Sequence, residues 1–266
     1  MKRDFHRLTH KCLAALIITH DEEANICRTL SAIRWIPEVL IIDSGSSDQT
    51  LEMIKQFSNT RVIHRKFDTF AQQCNFGLDQ LSSDWVLSLD ADYVLSTQVS
   101  NEISDILSSY IEGTCRFEAY RISFYYCING KPIRSGLLPP RTCFYKRELA
   151  HYLDVGHGHQ VNISGRVGRL NNKIFHDDRK SFSRWLSSQK RYQKTEAIML
   201  KNKTSANLPI QDLIRKHTFL APFSAFFMCL ILKGGFLDGR EGIIYAFYRL
   251  VAESLLYLYM HADTED

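Results

Sequence analysis

The segment Trp85-Val86-Leu87-Ser88-Leu89-Asp90-Ala91-Asp92 runs from apolar, strand-forming residues into two carboxylates spaced i, i+2. In an extended chain that spacing turns both side chains to one side. Two hard oxygen ligands at the tip of a buried strand suit a divalent cation that leaves positions open for phosphate oxygens. The same residues also read as a plain strand end, or as the lead-in to a helix capped after Ser96. Two further polar clusters close comparable apolar runs: Thr19-His20-Asp21-Glu22 and Asp43.

An alternation of strand and helix signals must position these groups. Residues 13–19 form an apolar strand, and 22–34 repeat Ile26, Leu30 and Ile33 at helical spacing. Residues 39–43 give a second strand. Ser44-Gly45-Ser46-Ser47 is turn chemistry, with Ser46 and Gln49 spaced as a capping box ahead of a helix carrying Leu51, Ile54 and Phe57. A short strand at 61–64, a helix at 70–81 and a strand at 85–90 follow. Strands that are continuous apolar runs, separated by helices, predict an α/β fold whose mostly parallel sheet is covered on both faces. Ligands of such sheets lie beyond the carboxyl ends of the strands. Thr19, Glu22, Asp43, Asp90 and Asp92 all fall there, so groups far apart in sequence converge on one edge.

Beyond a helix at 99–110 and a strand at 118–126, a loop begins at Pro139-Pro140-Arg141. Residues 154–160 make a His- and Gly-rich turn, and 166–176 close the first domain, which is expected to span 1–178. Residues 179–266 read as a basic, amphipathic helical extension. Between Arg179 and Lys216 stand ten Lys or Arg against Glu196 and Asp212, a net +8 within a chain of 266 residues and overall charge +4. Residues 219–232 are a nearly uncharged run, too short to span a bilayer comfortably and suited to a core or an interfacial helix. Apolar faces beside concentrated positive charge favour in-plane contact with an anionic membrane surface over simple packing. Nucleic acid is not the expected partner, because no recognisable nucleic-acid module accompanies the charge. The seven scattered cysteines lack CxxC pairing and fit reduced thiols in a cytoplasmic protein. The basic N-terminus leads into a first strand rather than a signal peptide.

Together these residues resemble the family 2 glycosyltransferases of GT-A (Rossmann-like) fold, above all bacterial members that build lipopolysaccharide core and related surface glycans. Ile17-Ile18-Thr19-His20-Asp21-Glu22-Glu23-Ala24-Asn25-Ile26 is similar to the family's Thr-Tyr-Asn-Glu-Glu-x-Asn-Ile. Residues 39–50 (VLIIDSGSSDQT) match its strand-Asp-x-Gly-Ser-x-Asp-x-Thr element. Asn75-Phe76-Gly77-Leu78, Asp84-Trp85-Val86-Leu87 and Asp90-Ala91-Asp92 complete the pattern in order. The likeness is strong over roughly the first hundred residues and looser to the end.

The resemblance implies an inverting, metal-dependent hexosyltransferase. It would take a nucleotide diphosphate sugar as donor and a saccharide, expected to be lipid-linked, as acceptor, peripherally on the inner face of the plasma membrane. Thr19, His20 and Glu22 would line the nucleotide pocket, with histidine in place of the usual tyrosine. Asp43 would accept from the base's imide N–H, Asp90 would meet the ribose or metal, and Asp92 would hold Mg²⁺ or Mn²⁺ against the diphosphate. Relatives carry a late His-Glu pair whose Glu is a candidate base, where this chain reads Gly156-His157-Gly158-His159-Gln160. Glutamine cannot take a proton at working pH, so Asp154 becomes the expected base, with His157 next. His159 is the expected imidazole beside Asp92, and His176 the other choice. A nucleotide-sugar binder without turnover, and a soluble transferase with a non-lipid acceptor, are the competing readings.

Overall fold

The computed structural model describes residues 12–155, 158–203 and 209–261, with the side chains of 155, 158, 159 and 211 outside the description. Its residues divide into two compact units, one of Met1–Tyr125 with Leu138–Arg179, the other of Tyr126–Leu137 with Lys180–Asp266.

The first unit is built on β1 (Leu13–Thr19), β2 (Glu38–Asp43), β3 (Thr60–His64) and β4 (Trp85–Asp90), which are parallel in the order β3-β2-β1-β4. Alternate residues of these strands feed two cores, which is why they read as unbroken apolar runs. Leu13, Ala15, Ile17, Val39, Ile41, Leu87 and Leu89 pack with helix α1 (Ile26–Ala32) and with the later helix α4 (Thr97–Ile111). Ala14, Leu16, Leu40, Ile42 and Val86 pack instead against helix α3 (Phe70–Asp79) and the tyrosines Tyr145 and Tyr152. Gly77 of α3 lies so close that a Cβ there would stand 2.5 Å from Leu16 Cδ1. The Ser96 hydroxyl accepts from Val99 N–H and caps α4, whose Val99, Ile103 and Leu107 are buried at helical spacing. The expected capping box does not form at α2 (Thr50–Ile54), where Gln49 is the N-cap and no side chain caps the helix. Ser46 is engaged elsewhere, as described below.

Beyond β4 the sheet turns antiparallel. It continues through β8 (Arg141–Lys146), β6 (Ala119–Ile128), β11 (Val167–His176) and the short β5 (Tyr93–Val94). β8 runs through what the prolines announced as a loop. Its Cys143, Phe144 and Tyr145 are buried against neighbours distant in sequence. Residues expected as a turn form the hairpin of β9 (Ala150–Val155) and β10 (Gly158–Ile163). It is fastened to α3 by reciprocal bonds: Asn75 Nδ2 donates to Tyr152 O, and Tyr152 N–H donates to Asn75 Oδ1.

In the second unit, the end of β6 pairs with β7 (Lys131–Ile133). Ile128 and Ile133 pack with Cys229, Tyr245 and Ala246. The helices are α5 (Phe182–Asn202), α6 (Ile210–His217), α7 (Ala221–Phe227), which continues as a π-turn through Leu232, and α8 (Gly239–His261). By length and composition alone, Gly235–His261 could cross a membrane. Tyr245, Ala246, Ala252 and Leu256 of α8 are nonetheless buried in this unit. Its Glu253, also buried, accepts from Arg215 Nη2 and Arg249 Nη2, each at 2.6 Å. Gly242 allows the closest approach, since a Cβ there would meet Gly235 O at 2.0 Å. Asp238 accepts from the N–H groups of Arg134 and Ser135, tying the 126–137 arm to the C-terminal helices. No local periodicity signals that pairing.

Candidate active site

Strand register brings the expected residues together. Thr19 lies opposite Asp43, Asp43 opposite His64, and Ile18 opposite Asp90. Polar groups from four strands therefore share one sheet edge, as the carboxyl-end rule requires.

The loops after β1 and β2 are clipped to one another. Asp21 adopts φ +53, a left-handed conformation that an aspartate tolerates better than most residues. Its carboxylate accepts from Ser47 N–H at 2.7 Å, while its own N–H donates to Ser46 Oγ at 2.9 Å. Glu22 N–H donates to Thr50 Oγ1, and Glu23 and Asp48 exchange similar bonds with the facing loop. Asp43 is fully buried and organises the second loop, accepting from Gly45 N–H, Ser46 N–H and Ser46 Oγ. Burial works against its charge. The hydrogen bonds from Ser46, Gly45 and His64 outweigh that and hold the carboxyl below the usual range. Ser46 thus serves Asp43 and Asp21 rather than a helix.

His64, which sequence reasoning passed over, stands with Nδ1 3.2 Å from Asp43 and its ring 68% exposed. His20 is also exposed, 3.7 Å from Asp21. Thr19 Oγ1 is buried and has no hydrogen-bond partner among the described residues.

The Asp90–Asp92 pair departs from the extended geometry that its spacing suggested. β4 ends at Asp90, and Ala91-Asp92 form a turn, so the two carboxylates do not share one extended segment. Asp90 is half exposed and 3.2 Å from Arg141 Nη1, which also donates to Tyr93 Oη at 3.2 Å. Asp92 is mostly buried, with Oδ2 3.1 Å from His176 Nε2. Its Oδ1 is buried and makes no hydrogen bond among the described residues. His176 ends β11 opposite Tyr93, and the next residue, Asp177, donates its N–H to Asp92 O. Burial disfavours the imidazolium, but Asp92, Asp90 and Asp178 more than compensate and raise the His176 pKa.

The imidazole found beside Asp92 is therefore His176. His159 pairs with Asp154 across the hairpin by backbone register, and its side chain lies outside the described residues. Among the described residues no three His, Cys, Asp or Glu side chains close on one point. A buried carboxylate oxygen without a donor, beside an imidazole, nevertheless suits a divalent ion whose remaining ligands are substrate phosphates and water.

Asn25, itself buried, ties this pair to the loop after β1. Its Nδ2 donates to Glu22 Oε2 at 2.8 Å and to Asp178 Oδ1 at 2.9 Å. Its Oδ1 accepts from Arg28 Nη2 and from Arg179 N–H. Arg28 also donates to Asp177 O, and Thr29 Oγ1 donates to Ala91 O. One short helix thereby fixes the first loop, the turn carrying Asp92 and the turn after His176.

A cavity of about 390 Å³ opens beside Asp90, walled by β8, β10 and residues of β6. Gln160 lines it. Asp154 does not: it is exposed on β9, with Oδ1 accepting from Ala71 N–H at 3.3 Å. Gly156 and His157 lie outside the described residues.

Residues 14–107 match the family described as Glycosyl transferase family 2. The uncharacterized glycosyltransferase RP128 of Rickettsia prowazekii is 25% identical, over 91% of this chain and 85% of that protein. The lipopolysaccharide core biosynthesis glycosyltransferase LpsC of Rhizobium meliloti is 28% identical over 36% of this chain and 37% of its own length. Among solved structures, S. aureus TarS 1-349 in complex with UDP-GlcNAc superposes with a TM-score of 0.49 at 14% identity, over 94% of this chain and 91% of that one.

Proposed function

Because residues 14–107 of this chain match the Glycosyl transferase family 2 model, we propose that the protein is an inverting, metal-dependent hexosyltransferase. It moves a hexose from a nucleoside diphosphate sugar to a lipid-linked saccharide of the cell surface or lipopolysaccharide, working peripherally at the cytoplasmic face of the membrane. The observation that carries this reading is the convergence of Thr19, Asp43, His64 and Asp90 on one edge, with Asp92 and His176 paired just beyond.

In this reading the clipped loops receive the nucleoside. Asp43 holds the second loop in shape, Thr19 and Glu22 line the pocket, and the exposed rings of His20 and His64 offer faces to the base. Asp92 and His176 would hold Mg²⁺ or Mn²⁺, which neutralises charge gathering on the departing diphosphate. The acceptor hydroxyl approaches from the cavity beside Asp90, on the face of the anomeric carbon opposite the leaving group. Asp90 lines that cavity and Asp154 does not, so Asp90 is the better placed of the two to take the hydroxyl proton.

The membrane part rests on the second unit. Phe219, Phe223, Phe227 and Ile231 recur every four residues and are each more than half exposed, as are Leu232, Phe236 and Leu237. Soluble surfaces rarely gather so much contiguous apolar area. Beside a segment of net +8, it suits the interface of an anionic bilayer. The name of the relative LpsC supports a surface-glycan acceptor.

Asp92→Ala tests the reaction. Turnover of nucleotide sugars in a membrane extract should fall by about a hundredfold to a thousandfold while circular dichroism and melting stay unchanged. Full activity in that variant contradicts the role of Asp92. Gln160 favours a second reading, a binder of nucleotide sugars without turnover, and the wild-type measurement separates the two.

A further inference from the structure

The cavity beside Asp90 has a charge imbalance that bears on the acceptor. Three charged side chains line it: Asp90, Arg141 and Arg121. Arg141 is 3.2 Å from Asp90 and bonded to Tyr93, so those two charges largely cancel. Arg121 lies opposite Thr142, next to a register shift between β6 and β8, and its side chain makes no hydrogen bond or ion pair among the described residues. It is exposed, but it lines a concave wall whose nearest carboxylate already has a cation, which leaves one positive charge at the cavity without a counter-charge among the described residues. The remaining wall supplies hydrogen-bonding side chains from Thr142, Gln160 and Asn162, with Val161 and Ile163 as the apolar part. A wall in which hydrogen-bonding side chains outnumber apolar ones, around a space of this size, suits a small hydroxylated ligand. A guanidinium fork suits a carboxylate or phosphate in two-point contact. Gln160 adds to this, because a glutamate there would repel an anion that glutamine admits.

We propose that the cavity is an acceptor subsite for a saccharide bearing an anionic substituent, phosphate or carboxylate, which Arg121 reads. The inference deepens the transferase reading and rests on it.

The test measures binding of methyl glucuronide, methyl glucoside and inorganic phosphate by ligand-observed NMR, with the donor edge saturated by the nucleoside diphosphate that binds best. Wild-type protein should bind glucuronide or phosphate in preference to glucoside. The preference identifies which anion is read. Arg121→Ala and Gln160→Glu should each weaken the anionic probe by about tenfold and leave glucoside and nucleotide binding unchanged. Equal binding of charged and neutral probes, or anion binding indifferent to both substitutions, overturns the subsite. If Arg121→Ala reduces attachment to anionic vesicles but not to the soluble anions, the residue belongs to a lipid surface and the proposal is wrong. Failure of every nucleoside diphosphate to bind would instead remove the transferase reading, a result the nucleotide titration reports separately.

Discussion

Leu13, Ile17, Leu40, Ile42 and Leu89 of the first unit are essentially buried, whereas Phe223, Phe227, Ile231 and Leu232 of the second are more than half exposed. The charged groups are distributed in the opposite sense. The first unit sets carboxylates along a sheet edge, with Asp90 half exposed and Asp92 mostly buried beside His176. The second buries Glu253 between Arg215 and Arg249. In one unit apolar residues make the scaffold and polar ones stand at the sheet edge. In the other a salt-bridged cluster and small residues such as Ala221, Ala225 and Cys229 make the scaffold, and large apolar side chains are exposed. The same residue types thus carry different information in the two regions.

Glu253→Ala should give the largest effect on stability. Removing one member of a buried charge cluster strands the others and costs about 3–5 kcal/mol, so hydrogen exchange or urea unfolding should show the helical unit loosened while nucleotide binding persists. A variant as stable as wild type would mean that the cluster is not part of the scaffold. The exposed stripe gives the next effect. Phe223→Ser with Phe227→Ser removes about 1.5–3 kcal/mol of apolar burial per side chain from any bilayer contact. Sedimentation with anionic vesicles should fall steeply, with the melting temperature unchanged. If the double variant instead unfolds, the stripe belongs to the core. Asn25→Ala leaves Glu22, Asp178 and Arg28 without a shared partner, and a loss of about 1–3 kcal/mol is expected, together with weaker nucleotide binding. Unaltered nucleotide affinity would separate that network from the donor edge.

The smallest effect concerns pH. Asp43 has a folded pKa below its unfolded value of about 3.9. Its contribution to stability is complete above that value and is lost as pH falls through the folded pKa. Urea midpoints should therefore drop on acidification below about pH 4, and Asp43→Asn should flatten that part of the profile. Parallel acid profiles in the two proteins would contradict the assignment.

Much of the sheet edge was legible in the sequence, since continuous apolar runs specify buried parallel strands and the groups ending them lie in register. What escaped depended on partners distant in sequence. Ser46 and Gln49 have capping-box spacing, but Asp21 and Asp43 claim the serine. Asp90 and Asp92 have the spacing of a paired site, but the strand stops between them. His176 reaches Asp92 because β11 pairs with β5, and local patterning does not record that. Phe175-His176 at the close of an alternating strand was the available signal. β8 was hidden by the prolines just before it, because its burial comes from β4 and β6 on either side.

The account stands on the Asp92–His176 pair acting on a diphosphate at the edge shared by Thr19, Asp43 and Asp90. Calorimetric titration of a panel of nucleoside diphosphate sugars, with and without Mn²⁺, into wild type and His176→Ala tests this most directly. At least one nucleotide sugar should bind wild type more tightly with Mn²⁺, and His176→Ala should lose that enhancement while keeping the metal-free binding. Metal enhancement that survives intact in His176→Ala, or binding of none of the nucleotides, would contradict it.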